Sequence, residues 1–137
     1  MKTIDLNFEG YWISKDHVPS SAGIYLVYVG RYKREIDKVS LRKLIYIGEA
    51  ENVKERLSNH EKWPEWERYL STGEILIFSM ARSTSPDRER AECALIYHHK
   101  PPTNEECTKA FPYEDTTVKS KGRCEFISPE FTVKRSD

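Results

Sequence analysis

One glutamate lies on the apolar face of a predicted helix, where a carboxylate is costly to bury. Glu92 shares that face with Leu95, Ile96 and His99, at positions i+3, i+4 and i+7. A surface glutamate at the rim of the apolar stripe gives the same pattern. A buried carboxylate needs a hydrogen-bonding partner or a cation, and Mg²⁺ or Mn²⁺ often takes only one or two protein carboxylates. Glu92 is therefore the candidate metal ligand.

An arginine and a histidine on an earlier predicted helix supply groups that phosphate chemistry uses. Arg56 and His60 are four residues apart and so share one helix face. The guanidinium group is a permanently charged, forked donor suited to phosphate, and the imidazole can orient a water molecule or assist proton transfer. A solvated helix face has the same spacing, so that alternative stays open.

Two tyrosines lie in neighbouring predicted strands, within Gly23-Ile24-Tyr25 and Tyr46-Ile47-Gly48. Tyrosines in strands usually pack in the core or at a sheet edge. A phenol can also hold a water molecule, or accept its proton, if a metal and an arginine stabilise the phenolate.

Runs of β-branched and aromatic residues predict the strands that carry these side chains. Three strands are expected at 24–29, 44–48 and 74–80, and shorter ones near 116–119 and 131–134. The first two strands are joined by a polar, basic loop, which predicts a protruding antiparallel hairpin.

Capping residues predict two main helices. Asn52 is an N-cap candidate with Glu55 three residues later, and this helix is expected to end near Trp63, before Pro64. A short helical segment is expected at 65–70.

The second main helix is expected to begin with Ser85 as N-cap and Pro86 at its first position, and to end near His99. These elements predict an α/β fold, with a small three-stranded antiparallel sheet flanked by helices and a short C-terminal extension. The length fits a single domain, 1–137, with a core of about 20–105 and an extension of about 106–137.

Six sequence features together resemble the signature of the GIY-YIG nuclease superfamily, across residues 20–105. They are Gly23-Ile24-Tyr25, Tyr46-Ile47-Gly48, Arg56 ten residues after Tyr46, His60 one turn later, Glu92 in the second helix, and Asn104 after the Pro101-Pro102 break. The resemblance implies a DNA endonuclease that uses one Mg²⁺ or Mn²⁺ ion, and a GIY-YIG-like fold.

The resemblance also implies a role for each matched residue. Glu92 binds the metal, Arg56 neutralises charge on the phosphate in the transition state, and His60 orients the water or a tyrosine. Tyr25 and Tyr46 both remain candidates for the proton acceptor. Gly23 and Gly48 are expected to allow close backbone packing, and Asn104 to anchor the segment after the second helix.

One position departs from the repair-type members of that family, which carry a lysine three residues after the second-motif tyrosine. Here that residue is Glu49. A carboxylate cannot assist deprotonation of the tyrosine as a cation would, so the rate and the metal affinity are in question.

The charge and composition of the chain limit which partners it can bind. The 22 basic and 22 acidic residues cancel, which counts mildly against nucleic-acid binding. A local basic excess makes the loop at 31–43 a candidate for backbone contacts with DNA, through Arg31, Lys33, Arg34, Arg42 and Lys43. A solvated charged loop is the alternative.

No stretch is apolar enough for a bilayer span or a secretory leader, which predicts a cytoplasmic location. Three unclustered cysteines predict reduced thiols.

Two alternative functions remain: a nucleic-acid-binding module that does not cut, and an interaction domain with an exposed patch of Trp12, Trp63 and Trp66. A homodimer is one route to a double-strand cut.

Overall fold

A six-stranded mixed sheet organises the computed structural model, which describes residues 1–136. The strands are β1 Lys2–Trp12, β2 Gly23–Lys33, β3 Lys38–Ala50, β4 Ile75–Arg82, β5 Thr116–Gly122 and β6 Glu130–Val133. Their spatial order is β3-β2-β4-β1-β5-β6. All neighbours are antiparallel except β1 and β5, which are parallel.

The expectation of a three-stranded antiparallel sheet flanked by helices is wrong. The three expected strands are present as β2, β3 and β4, but the sheet continues through β1, β5 and β6 into a curled half-barrel. The physical reason is β1, whose Ile4, Leu6 and Phe8 are all buried in the core that contains the last helix. Without β1, the backbone groups along one edge of β4 would lack ladder partners.

Three helices connect and cover the strands: α1 Val53–Ser58, α2 Trp63–Glu67 and α3 Asp87–His99. The N-cap is confirmed, because the Asn52 side chain accepts a hydrogen bond from the Glu55 backbone N–H. The expected continuation of α1 to Trp63 is wrong, since Asn59 has a φ of −144° and ends the helix.

The start of α3 also differs from the expectation. Pro86 occupies the N-cap position, and the Ser85 hydroxyl donates to Glu89 instead of capping the backbone. The helix ends at His99, as expected, and Lys100 follows in the left-handed region with a φ of 48°.

Two hydrophobic clusters cover the sheet. One contains α3 and the apolar residues of β1, and the other contains α1 and α2. Trp66 is fully buried in the second cluster, where Trp12 and Trp63 are half-buried against it. The exposed tryptophan patch considered above is therefore absent, and the interaction-domain interpretation loses its basis.

The basic segment at 31–43 is mostly paired strand. β2 and β3 continue as a hairpin to Lys33 and Lys38, and only a short turn around Arg34–Ile36 joins them. The five candidate basic residues are all exposed on this hairpin. Arg42 is engaged by the Glu74 carboxylate and the Tyr69 carbonyl oxygen.

Within residues 1–136, no helix has the length and apolarity needed to span a membrane.

The expectation of three reduced thiols is wrong for two of the cysteines. Cys93 in α3 and Cys107 in the following loop form a disulfide with a Cα–Cα distance of 5.4 Å, and Cys124 is free. Sequence spacing does not predict this disulfide, because the two cysteines come together only where the chain turns back after α3.

The disulfide is expected to stabilise the fold measurably. Cys107→Ser should lower the free energy of unfolding by about 3 kcal/mol, because a cross-link over a loop of this length restricts the unfolded chain. Urea denaturation without reductant measures the change. Cys124→Ser is the matched control and should leave the midpoint nearly unchanged; an equal loss in both variants would contradict the prediction.

Candidate active site

A polar pocket of about 300 Å³ lies beside β3, the edge strand of the sheet. Four of the five candidate catalytic residues line it, although the first and the last of them, Tyr25 and Glu92, are far apart in the sequence. The lining consists of Tyr25, Tyr46, Glu49, Arg56, Glu61, Lys62, Glu92, Ile96, Asn104, Glu105 and Glu106. The fifth candidate, His60, lies behind Tyr25 and contacts it directly.

A glycine allows Tyr25 to reach the pocket. Tyr25 in β2 and Gly48 in β3 are paired in register, and a Cβ at position 48 would collide with the Tyr25 ring. The ring is 1% exposed. Gly23 has a different role, because a Cβ there would collide with the Ala81 carbonyl oxygen of β4.

Hydrogen bonds determine which nitrogen of His60 carries the proton. The Lys62 backbone N–H donates to Nδ1 at 3.0 Å, so a neutral His60 carries its proton on Nε2. Nε2 lies 2.9 Å from the Tyr25 hydroxyl oxygen and therefore donates to it. This leaves the Tyr25 hydroxyl proton free to point into the pocket.

Burial keeps this histidine neutral. The His60 ring packs 4.4 Å from the Trp66 ring centre and 5.2 Å from that of Tyr46. Desolvation, helped by the positive charge of Arg56, lowers the pKa of His60 to about 4. His60 is therefore a fixed donor near neutral pH.

The two tyrosines differ in their surroundings. Burial raises the pKa of both, and for Tyr25 the neighbouring Tyr46 is the second cause. Tyr46 is only half-buried, and its hydroxyl has no hydrogen-bond partner in the described part of the chain. Arg56 lowers the pKa of both phenols and so partly offsets burial.

Glu92 projects from α3 into the pocket. Within residues 1–136 its carboxylate has no hydrogen-bond or ion-pair partner. Desolvation, together with the charges of Glu49 and Glu106, raises its pKa to about 8. Glu92 is thus a carboxylate whose charge the protein itself does not stabilise.

Arg56 is held by a neighbouring carboxylate. Its two terminal nitrogens each donate to an oxygen of Glu61, both at 2.7 Å. This forked hydrogen bond lowers the pKa of Glu61 to about 2. A phosphate has the same bidentate acceptor geometry, so it can take the place of the exposed Glu61.

Asn104 ties the segment after α3 to the edge of the sheet. Its side-chain oxygen accepts from the Ile47 N–H at 3.0 Å, and its amide donates to the Ile47 carbonyl oxygen at 2.9 Å. Asn104 thus occupies the place of a strand partner for β3 and contributes to the pocket wall.

A buried arginine that the sequence pattern did not single out lies beside the pocket. Arg88 is 5% exposed and donates to Glu49 at 2.7 Å, which joins α3 to β3. It therefore neutralises the Glu49 carboxylate. Arg88 precedes Glu92 by four residues on the same helix, and this spacing is the feature that could have identified it.

The basic residues of the hairpin stand apart from this pocket. Arg31, Lys33, Arg34, Arg42 and Lys43 do not line it. Lys62 does; it is paired with Glu105 at 2.8 Å and was not singled out from the sequence.

The donor set fits a single hard cation. No group of three or more histidine, cysteine, aspartate or glutamate side chains within residues 1–136 is arranged to hold a metal ion. A metal here would have the half-buried, unpartnered carboxylate of Glu92 and would complete its shell with water and substrate oxygens, which is a common arrangement for Mg²⁺. The exposed Glu106 also lines the pocket without a partner in the described part of the chain.

No protein-family model, curated protein or solved structure matches this chain. The function of the pocket therefore has to be argued from its own geometry and chemistry.

The raised pKa of Glu92 predicts a pH dependence of stability. Between its ordinary value of 4.5 and about 8, the folded state keeps a proton that the unfolded state has lost. The free energy of unfolding should therefore fall as the pH rises through this range, and Glu92→Gln should reduce that fall. Urea denaturation at several pH values measures both slopes. Identical slopes in the two proteins would show that Glu92 does not titrate in this way.

The contact between Gly48 and Tyr25 predicts a specific steric effect. Gly48→Ala should lower stability by about 1–3 kcal/mol and displace Tyr25 from His60, because the new methyl group occupies the space of the ring. Thermal or urea denaturation measures the loss. In a Tyr25→Ala background the same substitution should cost much less, since the ring is gone. An undiminished cost there would rule out this explanation.

Proposed function

We propose that this chain is a divalent-metal-dependent endonuclease of the GIY-YIG type that hydrolyses phosphodiester bonds in DNA. The observation that carries the proposal is the convergence of Tyr25, Tyr46, Arg56 and Glu92 on one polar pocket, with His60 bonded to Tyr25. Together these side chains offer a proton acceptor, a phosphate-binding cation and an oxygen ligand for a metal.

Arg56 is the group that binds the scissile phosphate. Its guanidinium group is already aligned at the pocket by Glu61, so little side-chain entropy is lost when a phosphate replaces that carboxylate. As negative charge accumulates on the phosphate in the transition state, the fixed positive charge stabilises it.

A phenol can accept the proton of water only after its own proton has left to solvent, and the positive charges of Arg56 and of a bound cation would favour that loss. Tyr46 is the better placed of the two tyrosines for this role. Its hydroxyl is free, whereas the Tyr25 hydroxyl oxygen already accepts a hydrogen bond from His60. Tyr25 instead donates its own proton towards the pocket and can hold the attacking water. His60 keeps Tyr25 in that orientation without gaining charge, because its pKa of about 4 lies below neutral pH.

Glu92 is the residue that would hold Mg²⁺ or Mn²⁺. When bound, such a cation polarises the phosphodiester and stabilises the leaving oxygen. The half-buried carboxylate is protonated near neutral pH without a cation, so metal binding has to displace that proton. Tighter binding is therefore expected as the pH rises towards about 8.

DNA is the proposed partner, and the exposed basic residues of the hairpin offer contacts with its phosphate backbone. A homodimer stays a prediction. A cytoplasmic location also stays a prediction. The Cys93–Cys107 disulfide is an argument against it, because disulfides are rare in reducing compartments.

A nucleic-acid-binding module that does not cut is the second candidate. Two observations count against a phosphate in the pocket, and so against cutting: Arg56 is already engaged by Glu61, and carboxylates outnumber cations in the pocket wall. DNA would then bind only at the exposed basic residues of the hairpin. This candidate predicts DNA binding that needs neither Glu92 nor a metal.

Nicking of supercoiled plasmid with Mg²⁺ or Mn²⁺ separates the two candidates. We expect the wild type to nick the DNA, and Glu92→Gln and Arg56→Ala each to slow nicking by about 100-fold or more. The reason is that Arg56→Ala lacks the cation that contacts the phosphate, and Glu92→Gln lacks the carboxylate that would hold the metal.

Matched controls come from exposed residues of the same type near α2. Glu67→Gln and Arg68→Ala should nick at the wild-type rate. In the same assay, Tyr46→Phe should lose more activity than Tyr25→Phe if Tyr46 accepts the proton. Plasmid left intact by the wild type with both metals, or cut equally by Glu92→Gln, would defeat the nuclease proposal.

A further inference from the structure

A second groove, of about 570 Å³, lies between the end of β1 and the tip of the β2–β3 hairpin. Its wall contains three aromatic and three basic side chains. These are Tyr11, Trp12, Tyr32, His17, Lys38 and Arg123. None of them lines the candidate active site or belongs to the motif that resembles a nuclease. The groove is therefore a separate feature of this chain.

The aromatic rings of the groove are held in place and remain accessible. The Tyr11 hydroxyl accepts a hydrogen bond from the Glu125 N–H at 3.0 Å, and its ring packs edge-on against Tyr28. The Tyr32 hydroxyl donates to the Asp37 carboxylate at 2.8 Å. Both rings are only half-buried. Rings fixed at their polar ends can stack on a ligand with little further loss of side-chain entropy.

The charge of the groove favours an anionic ligand. Lys38 and Arg123 are exposed, and neither forms an ion pair within residues 1–136. The Arg123 guanidinium carbon lies 6.0 Å from the centre of the Tyr11 ring. Asp37 is the one carboxylate among the described lining residues, and it is engaged by Tyr32.

The geometry points to a binding site for single-stranded nucleic acid, in which unpaired bases stack on Tyr11, Trp12 or Tyr32 while Lys38 and Arg123 contact the phosphates. Aromatic rings interleaved with cations are the general means of binding single strands, because every unpaired base offers a flat face. Bases within a duplex are already stacked on each other and cannot offer that face. The groove therefore prefers a single strand to a duplex.

The distance between the pocket and the groove indicates which kind of nucleic acid could occupy both. Tyr25 and Tyr32 are seven residues apart on β2, roughly 23 Å at about 3.3 Å per residue. This equals about seven base steps of B-form DNA. In this part the inference rests on the proposed function: the substrate would have a cleavable region at the pocket and an unpaired flank in the groove.

Fluorescence anisotropy in EDTA tests the groove without cleavage. The probes are a labelled oligothymidylate and a labelled duplex of the same length. We expect tighter binding of the single strand, and about a tenfold loss of that affinity in Tyr32→Leu, because one stacking ring is removed. Tyr32→Phe keeps the ring and should bind nearly as the wild type does.

Arg123→Ala provides a second, independent variant. It should weaken single-strand binding and make the affinity less dependent on salt, whereas Lys119→Ala, an exposed lysine of β5 outside the groove, should change neither. If circular dichroism shows that Tyr32→Leu is misfolded, Arg123→Ala decides alone. Equal wild-type affinity for the two probes, or single-strand binding unaffected by both groove variants, overturns the proposal.

The proposal for the groove and the proposal for nuclease activity can be contradicted independently. If the protein binds single strands selectively but never nicks plasmid, the groove proposal is supported and only the nuclease proposal is contradicted. Nicking that depends on Glu92, in a protein without single-strand preference, overturns only the groove. Glu67→Gln, at an exposed position outside both the pocket and the groove, should bind the oligothymidylate as tightly as the wild type does.

Discussion

The chain segment that follows α3 closes the exposed edge of β3, and the pocket depends on that closure. The Thr103 N–H donates to the Ile45 carbonyl oxygen, and Asn104 bonds both backbone groups of Ile47. An edge strand without such partners exposes its N–H and C=O groups to other chains. Here one segment satisfies those groups and also brings Glu105 and Glu106 to the pocket. The disulfide at Cys107 ties its far end back to α3.

Electrostatics inside the pocket follow a simple arrangement of partners. Glu49, Glu61 and Glu105 are each paired with a basic side chain, so their charges are largely neutralised. Glu92 is the half-buried carboxylate without such a partner in the described part of the chain. An unpaired buried charge is unfavourable, and its pKa shift shows how strongly a proton is preferred there. Replacement of that proton by a divalent cation would add one net positive charge to the pocket and make it more attractive to a phosphate.

Local sequence patterns predicted the parts of this structure that depend on local physics. β2, β3 and β4 follow from runs of β-branched and aromatic residues, and Asn52 follows from its capping geometry. The convergence of Tyr25 and Glu92 was expected only through the resemblance, because no local pattern links residues so far apart. β1 was missed although Ile4, Leu6 and Phe8 alternate with polar residues, the pattern of a half-buried strand. The Cys93–Cys107 bond depends on a tertiary contact that spacing alone does not reveal. The spacing of Arg88 from Glu92 places it on the same side of α3, but its pairing with Glu49 also depends on a tertiary contact.

The position of β1 has a consequence for the order in which the fold can form. β1 comes first in the chain, yet one of its neighbours, β5, begins at Thr116. The residues of β1 must therefore wait for those of β5, which are made much later, before the parallel ladder between the two strands can close. Such long-range pairing slows folding and leaves a hydrophobic strand exposed to aggregation in the meantime. A nascent chain that stalls after α3 would present this strand with one edge open, as a target for chaperones.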